Sequence, residues 1–328
     1  MSDAVRGAAV TAAPRRRRRN RWTLDRITFM AAFLGVPLAI YVIFVVSPFV
    51  QAIGYSFTNW GGYSKKMDFV GLANYQRVLT DDIFLKAMGN NFFFALVLPI
   101  CVIVLALALA TVITVAGRSV GQTRGLRGAG LYRVVSFFPY AIPAVVVGLM
   151  WSLIFDPNGL VNGLLTWLGL SSFDDFAWLG EVSTAKAVTT FVIMWGYIGF
   201  YMILFIAAIK GIPAEIYEAA RIDGASRLRT AVSITLPLIR ENVQTAFIYL
   251  GIAALDLYVY VAVLNPFGGP DNSTLTMAQV LLNTAFGKNL FGVACAMGVV
   301  IGLLTMLFAA IVFAINRLAG GKDQVTMA

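Results

Sequence analysis

The chain has 328 residues, 59% of them hydrophobic and 12% charged; soluble domains carry roughly 45–50% and 25%, so a water-soluble globule is excluded. The absence of histidine removes Ser-His and Cys-His nucleophile pairs, His-ligated zinc and haem, and the usual near-neutral general base. The formal net charge of +9 does not point to nucleic acid, because in so apolar a chain the basic residues are placed first relative to a bilayer.

Reading from the N-terminus, a basic tail over 1–26 contains the run Arg15 to Arg19, which reads as a topology-setting flank beside the membrane. The apolar run that follows Arg26 exceeds the roughly 7–15 residues of a signal-peptide core and has no convincing cleavage site before Gly54. It is expected to remain as a first span. Uncharged stretches then recur, and six membrane-spanning helices are predicted near 29–50, 91–115, 134–155, 187–209, 243–264 and 292–316. Each holds the ~20 residues that a helix needs to cross a ~30 Å hydrocarbon core. Only the fifth contains an acid, Asp256. Cys101 and Cys295 lie inside these apolar runs and read as small buried hydrophobes.

Placing both termini in the cytoplasm puts 19 of the 25 Lys and Arg residues inside and 6 outside, a strong inside bias. With the acids included, the inner face carries +12 and the outer face −2. The outer loops carry Trp60, Tyr63, Tyr75, Trp167 and Trp178, the composition of an interfacial aromatic belt. The adjacent acids Asp174 and Asp175 read as a solvated loop, because neighbouring side chains diverge. A six-span domain over 27–317 with short tails, 1–26 and 318–328, is therefore expected.

The inner loop over 210–240 differs in kind. Its sequence, GIPAEIYEAARIDGASRLRTAVSITLPLI, has Pro213 at a helix start, Glu215 and Glu218 in the first turns and Gly224 at a helix stop. Proline presets φ where the N–H has no partner, acids complement the positive end of the helix dipole, and glycine adopts the left-handed stop. Ser226 then caps a second helix running to Pro237. This helix-turn-helix is expected to lie along the membrane face, with Ile216, Ala219, Ala220 and Ile222 as small or apolar contacts.

Glu218, Ala219 and Ala220, then Gly224, then Ile234, Leu236 and Pro237 match a signature written Glu-Ala-Ala, three residues, Gly, nine residues, Ile-x-Leu-Pro. That stretch resembles the permease subunits of binding-protein-dependent ABC importers. FVGLANYQRVLTDDIF, FFPYAIPAVVVGLMWSLIFDPNGLVN and GGPDNSTLTMAQVLLNTAF are similar to segments of the sugar branch of that family, the maltose and glycerol-phosphate type. The resemblance runs from about Pro37 to Arg317; NPFGG, after Tyr260, is longer than the family's usual approach to the last outer loop.

The resemblance implies an all-α integral membrane protein of the type I importer permease fold, in the cytoplasmic membrane of a bacterium or archaeon. It implies half of a pathway that works by alternating access, a second permease subunit, a cytoplasmic ATPase dimer and an extracytoplasmic solute-binding protein. Glu218, Ala219, Ala220, Asp223, Gly224, Ile234, Leu236 and Pro237 would couple to the ATPase. The chain has no Gly-rich phosphate loop ending in Gly-Lys-Ser or Gly-Lys-Thr, so no ATP, Mg or other cofactor is expected on it. Trp195, Tyr197 and Tyr201 in span four, and Asp256, Tyr258 and Tyr260 in span five, are the candidates for the solute path, because aromatic faces stack on sugars and carboxylates bind hydroxyls. An ATP-independent secondary transporter is the alternative, but no internal repeat is visible. An intramembrane enzyme is disfavoured by the lack of histidine and of paired intramembrane acids.

Overall fold

The computed structural model describes residues 24–64, 66–115 and 129–319. The basic run Arg15 to Arg19, Lys65, most of the inner loop after Arg118 and the tail from 320 lie outside them. The chain divides into two units, one up to Gln51 and one from Ala52.

In the first unit the described chain is helical and forms most of α1, Ile27–Tyr55. Two stretches, Ala31–Gly35 and Val42–Val46, widen to π geometry, and Pro37 and Pro48 stand just beyond them. A proline lacks the N–H that would bond one turn back, and a π turn absorbs the mismatch. Phe33, Leu34, Leu38 and Phe44 are all exposed, as suits a helix whose solvent is hydrocarbon.

The second unit is built around α3, Asp82–Val115, preceded by the short α2, Ala73–Thr80. The helix starts earlier than the predicted 91 because the Asp81 carboxylate accepts the Ile83 and Phe84 N–H groups at 2.9 and 3.0 Å. It packs along α7, Val182–Lys210, and α10, Arg240–Leu255. Its buried faces feed two apolar clusters. One gathers Phe84, Phe94, Val147, Val261, Met277 and Met297; the other gathers Val102, Ala106, Met202, Phe205, Ile239 and Leu250.

The third predicted span is not one rod. Ala129–Ala141 (α4) and Ala144–Ile154 (α5) meet at a 97° bend, where Pro143 interrupts the backbone bonding. The short α6, Leu160–Trp167, follows. The fifth predicted span is also interrupted: α10 stops at Leu255, Tyr258 has φ −132°, and helix resumes as α11, Val259–Leu264. Among the described residues, four helices are long and apolar enough to cross a membrane, or five if the bent pair counts as one. Of the six predicted spans, the third is therefore bent at Pro143 and the fifth interrupted after Leu255. Apolar content alone does not reveal where a backbone leaves helical geometry. The last helix, α13, Phe291–Ala319, is continuous and packs on α2 and α10. Before it, α12, Met277–Leu282, opens on a capping box made by Thr276 and Gln279.

Two glycines set close helix approaches. A Cβ at Gly199 would overlap the Ser136 carbonyl on α4, and one at Gly196 would lie 2.6 Å from the Tyr260 hydroxyl. Small residues of this kind let backbones approach in a membrane, where area burial no longer drives association. Gly199→Val is expected to lower the melting temperature of the detergent-solubilised complex by roughly 5 °C or more, because overpacking costs about 1–3 kcal/mol. Gly163→Ala in α6, where a Cβ meets nothing within 4 Å, should leave it at or above the parent value.

Candidate functional site

Between α7 and α10 the chain folds as the sequence predicts. α8 spans Ala214–Ile222 with Pro213 at its N-cap, Glu215 in its first turn and Asp223 at its C-cap. Gly224 follows with φ +71°, and the stop is closed by Ala225 N–H to the Ala220 carbonyl at 2.9 Å and Gly224 N–H to the Arg221 carbonyl at 3.0 Å. These are the two bonds of a Schellman turn. The Ser226 hydroxyl accepts the Arg229 N–H at 3.3 Å and opens α9, Leu228–Leu238. Within α9, Ala231–Thr235 is π-helical and precedes Pro237, repeating the pairing of π turn and proline seen in α1. The chain then bends at Ile239 into α10.

The two faces of α8 are distinct. Glu215, Glu218, Ala219 and Ile222 are exposed, Ile222 to 86%. Tyr217 and Ala220 are buried, Tyr217 within the cluster that joins α3, α7 and α10. Ala219 and Ala220 therefore do not share one face, since neighbours on a helix point about 100° apart. Ala220 packs into its own chain. Of the second half of the signature, Ile234 is half-buried, while Leu236 and Pro237 are exposed.

Tyr217 was not singled out in the sequence. Its hydroxyl lies 3.2 Å from the Thr235 hydroxyl, joining α8 to the π turn of α9 inside the core. Burial pushes the Tyr217 phenol above its ordinary pKa against the opposing pull of the Thr235 bond, so it remains protonated and able to donate. The signal was its place one helical turn beyond Pro213, on the side opposite Glu215, Glu218 and Ile222.

The six residues predicted for the solute path do not form one group. Tyr197 and Tyr260 face each other with ring centroids 6.2 Å apart. Tyr140, from α4, joins them at 6.2 Å from Tyr197 and stacks on Phe200 at 4.7 Å. Tyr140 escaped the sequence reading because only tertiary packing brings α4 beside α7. Tyr201 is buried in the cluster below. Trp195 turns to a separate aromatic group with Trp151, at 5.4 Å. Asp256 and Tyr258 are exposed at the interruption between α10 and α11. Among the described residues no group of three or more His, Cys, Asp or Glu is placed to hold a metal ion.

Comparison with known proteins agrees with this architecture. The family model for the binding-protein-dependent transport system inner membrane component matches residues 113–320. The diacetylchitobiose uptake system permease protein NgcF of Streptomyces coelicolor is 58% identical over 309 residues, covering 94% of this chain and 88% of that protein. The multiple sugar-binding transport system permease protein MsmF of Streptococcus mutans is 34% identical, covering 84% and 92%. A bacterial ABC transporter involved in the import of the acidic polysaccharide alginate has the same fold, with a TM-score of 0.74 at 20% identity over 90% of this chain and 98% of that one. The chain belongs to the binding-protein-dependent transport system inner membrane component family and is a multi-pass membrane subunit of an ABC importer.

Proposed function

We propose that this chain forms one half of the transmembrane pathway of an ATP-driven importer for a short carbohydrate of the N-acetylated disaccharide type. Its 58% identity to a permease named for diacetylchitobiose uptake carries the solute class. A second permease subunit, a cytoplasmic ATPase dimer holding ATP and Mg, and an extracytoplasmic solute-binding protein complete the assembly. The two-faced geometry of α8 supports the division of labour. Its outward face offers Glu218, Ala219 and Ile222 to an ATPase groove; its inward face, through Tyr217 and Ala220, is joined to the helical core. A push on α8 is thereby passed to α9 and, through Pro237 and the bend at Ile239, to α10.

For the solute, Tyr140 and Tyr197, backed by the buried Tyr260, supply flat faces for sugar C–H groups and hydroxyls for hydrogen bonding. Asp256 supplies an acceptor for sugar hydroxyls, the default reading of an acid in a membrane segment. The decisive experiment is uptake of labelled diacetylchitobiose by proteoliposomes holding both permeases and the ATPase, with binding protein outside and ATP inside. ATP-dependent uptake is expected; uptake by this chain alone without ATP would establish the secondary transporter instead.

Gly224→Asp places a side chain at φ +71°, at a cost of about 1–2 kcal/mol, and should cut uptake about tenfold or more while ATP hydrolysis persists uncoupled. Normal uptake would remove α8 from coupling. Glu218→Ala should have the same effect more mildly. Tyr217→Phe and Thr235→Val each remove one end of the same bond, so both should lower the uptake obtained per ATP hydrolysed. The double variant should be little worse than either single one, with a coupling term of about 0.5–1.5 kcal/mol. Asp256→Asn should reduce uptake and raise its KM; unchanged values would take the carboxylate out of the path.

A further inference from the structure

A helix that stops leaves its last carbonyls without intrahelical partners, and where the residues that carry them are buried in protein, as Ala254 and Leu255 are, water does not replace them. The interruption after Leu255 therefore needs donors from elsewhere, and they come from one side chain. Asn91, on α3 and fully buried, donates through Nδ2 to the carbonyls of Ala254 at 2.9 Å and Leu255 at 3.1 Å. Its Oδ1 accepts the N–H of Met277 at 2.8 Å, an orphan donor in the first turn of α12. Both amide hydrogens and one acceptor site are used, and every partner is a backbone group freed by a helix end.

The neighbouring Asn90 does a related task. Its Nδ2 donates to the carbonyls of Asn272 and Leu275, both at 2.9 Å, and its Oδ1 accepts from Lys186 Nζ at 2.8 Å. It braces the loop that leads into α12, whereas Asn91 alone reaches the interruption. Beyond the bonded carbonyls stand the exposed Asp256 and Tyr258.

We infer that Asn91 is a positioning residue for the solute path: it makes the interrupted form of residues 240–264 the stable one and thereby sets where Asp256 and Tyr258 stand. This rests on the reading of those two residues as part of the path. Were the carbonyls of Ala254 and Leu255 unbonded, α10 would regain stability by continuing, and a continued helix would carry residues 256–258 around its axis by about 100° per residue.

The test uses the complete importer. In a background with Cys101 and Cys295 replaced by alanine, Tyr258→Cys is labelled with a membrane-impermeant thiol reagent, and Ser183→Cys on α7 serves as the reference site. Asn91→Asp keeps an acceptor for Met277 but leaves at most one donor, on a protonated carboxyl, for the two carbonyls; Asn91→Ser, smaller and with one donor left, is the second variant. The expected result is a change of at least about fivefold in the labelling rate at 258 in both variants, with the rate at 183 unchanged. In the chain with its native tyrosine, Asn91→Asp should raise the uptake KM about tenfold, equivalent to about 1.4 kcal/mol, with kcat changed less. Labelling at 258 that stays at the parent rate overturns the inference, and the Ser variant decides this if the Asp variant does not assemble. A labelling shift with unchanged KM sustains the positioning of the break and overturns the solute-path reading instead.

Discussion

Neither hydrocarbon nor a packed protein interior supplies water to a backbone carbonyl, so where this chain leaves helical geometry its buried carbonyls need partners within the protein. Buried asparagines supply them repeatedly. Asn74 donates to the carbonyls of Ser56 and Thr58, both at 2.8 Å. Asn162 donates to those of Pro157 and Phe176, both at 2.9 Å, and accepts from the Trp178 indole at 2.6 Å. Asn90 and Asn91 serve the loop before α12 and the break after α10. A carboxamide suits the task, since it brings two donors and an acceptor without a charge. The turn after α1, the loops around α6 and before α12, and the break after α10 rely on these amides.

Proline handles the opposite case, where helix must continue. Pro37 and Pro48 each stand just beyond a π-helical turn, so the missing N–H is absorbed within the helix and the axis carries on; Pro237 also follows a π turn, but its helix ends at Leu238, before the bend at Ile239. Pro143, by contrast, stands at a bend of 97°. Apolar helices thus come in two mechanical kinds here, continuous rods and jointed pairs. The jointed pairs, α4 with α5 and α10 with α11, bring the exposed Tyr140 and the buried Tyr260 to either side of Tyr197. A joint lets one predicted span present side chains in directions that a rod cannot combine.

The α8 segment shows how a short exposed helix is given mechanical purchase. Its stop is a local affair of two backbone bonds around Gly224, while its hold on the rest of the chain is the buried Tyr217 and its contact with Thr235. Glu218 and Ile222 are exposed on the other face. The segment is thus closed within itself and tied to α9 and the core through its inward face.

Much was legible without coordinates where the physics is local. Pro213, Glu215, Gly224 and Ser226 mark the ends of α8 and the start of α9 through dihedral and capping preferences that act within a few residues, and the structure places those ends as expected. Long apolar runs likewise announced the helices, since hydrocarbon thickness sets their length. Tertiary structure alone decided the rest: that Ala220 turns inward while Ala219 does not, that Tyr201 is core while Tyr140 joins the aromatic surface, and that the fifth span is interrupted. That interruption depends on a donor 163 residues away, Asn91 against Ala254. Composition and periodicity report on neighbours along the chain; a hydrogen bond across that separation exists only once α3 and α10 have packed.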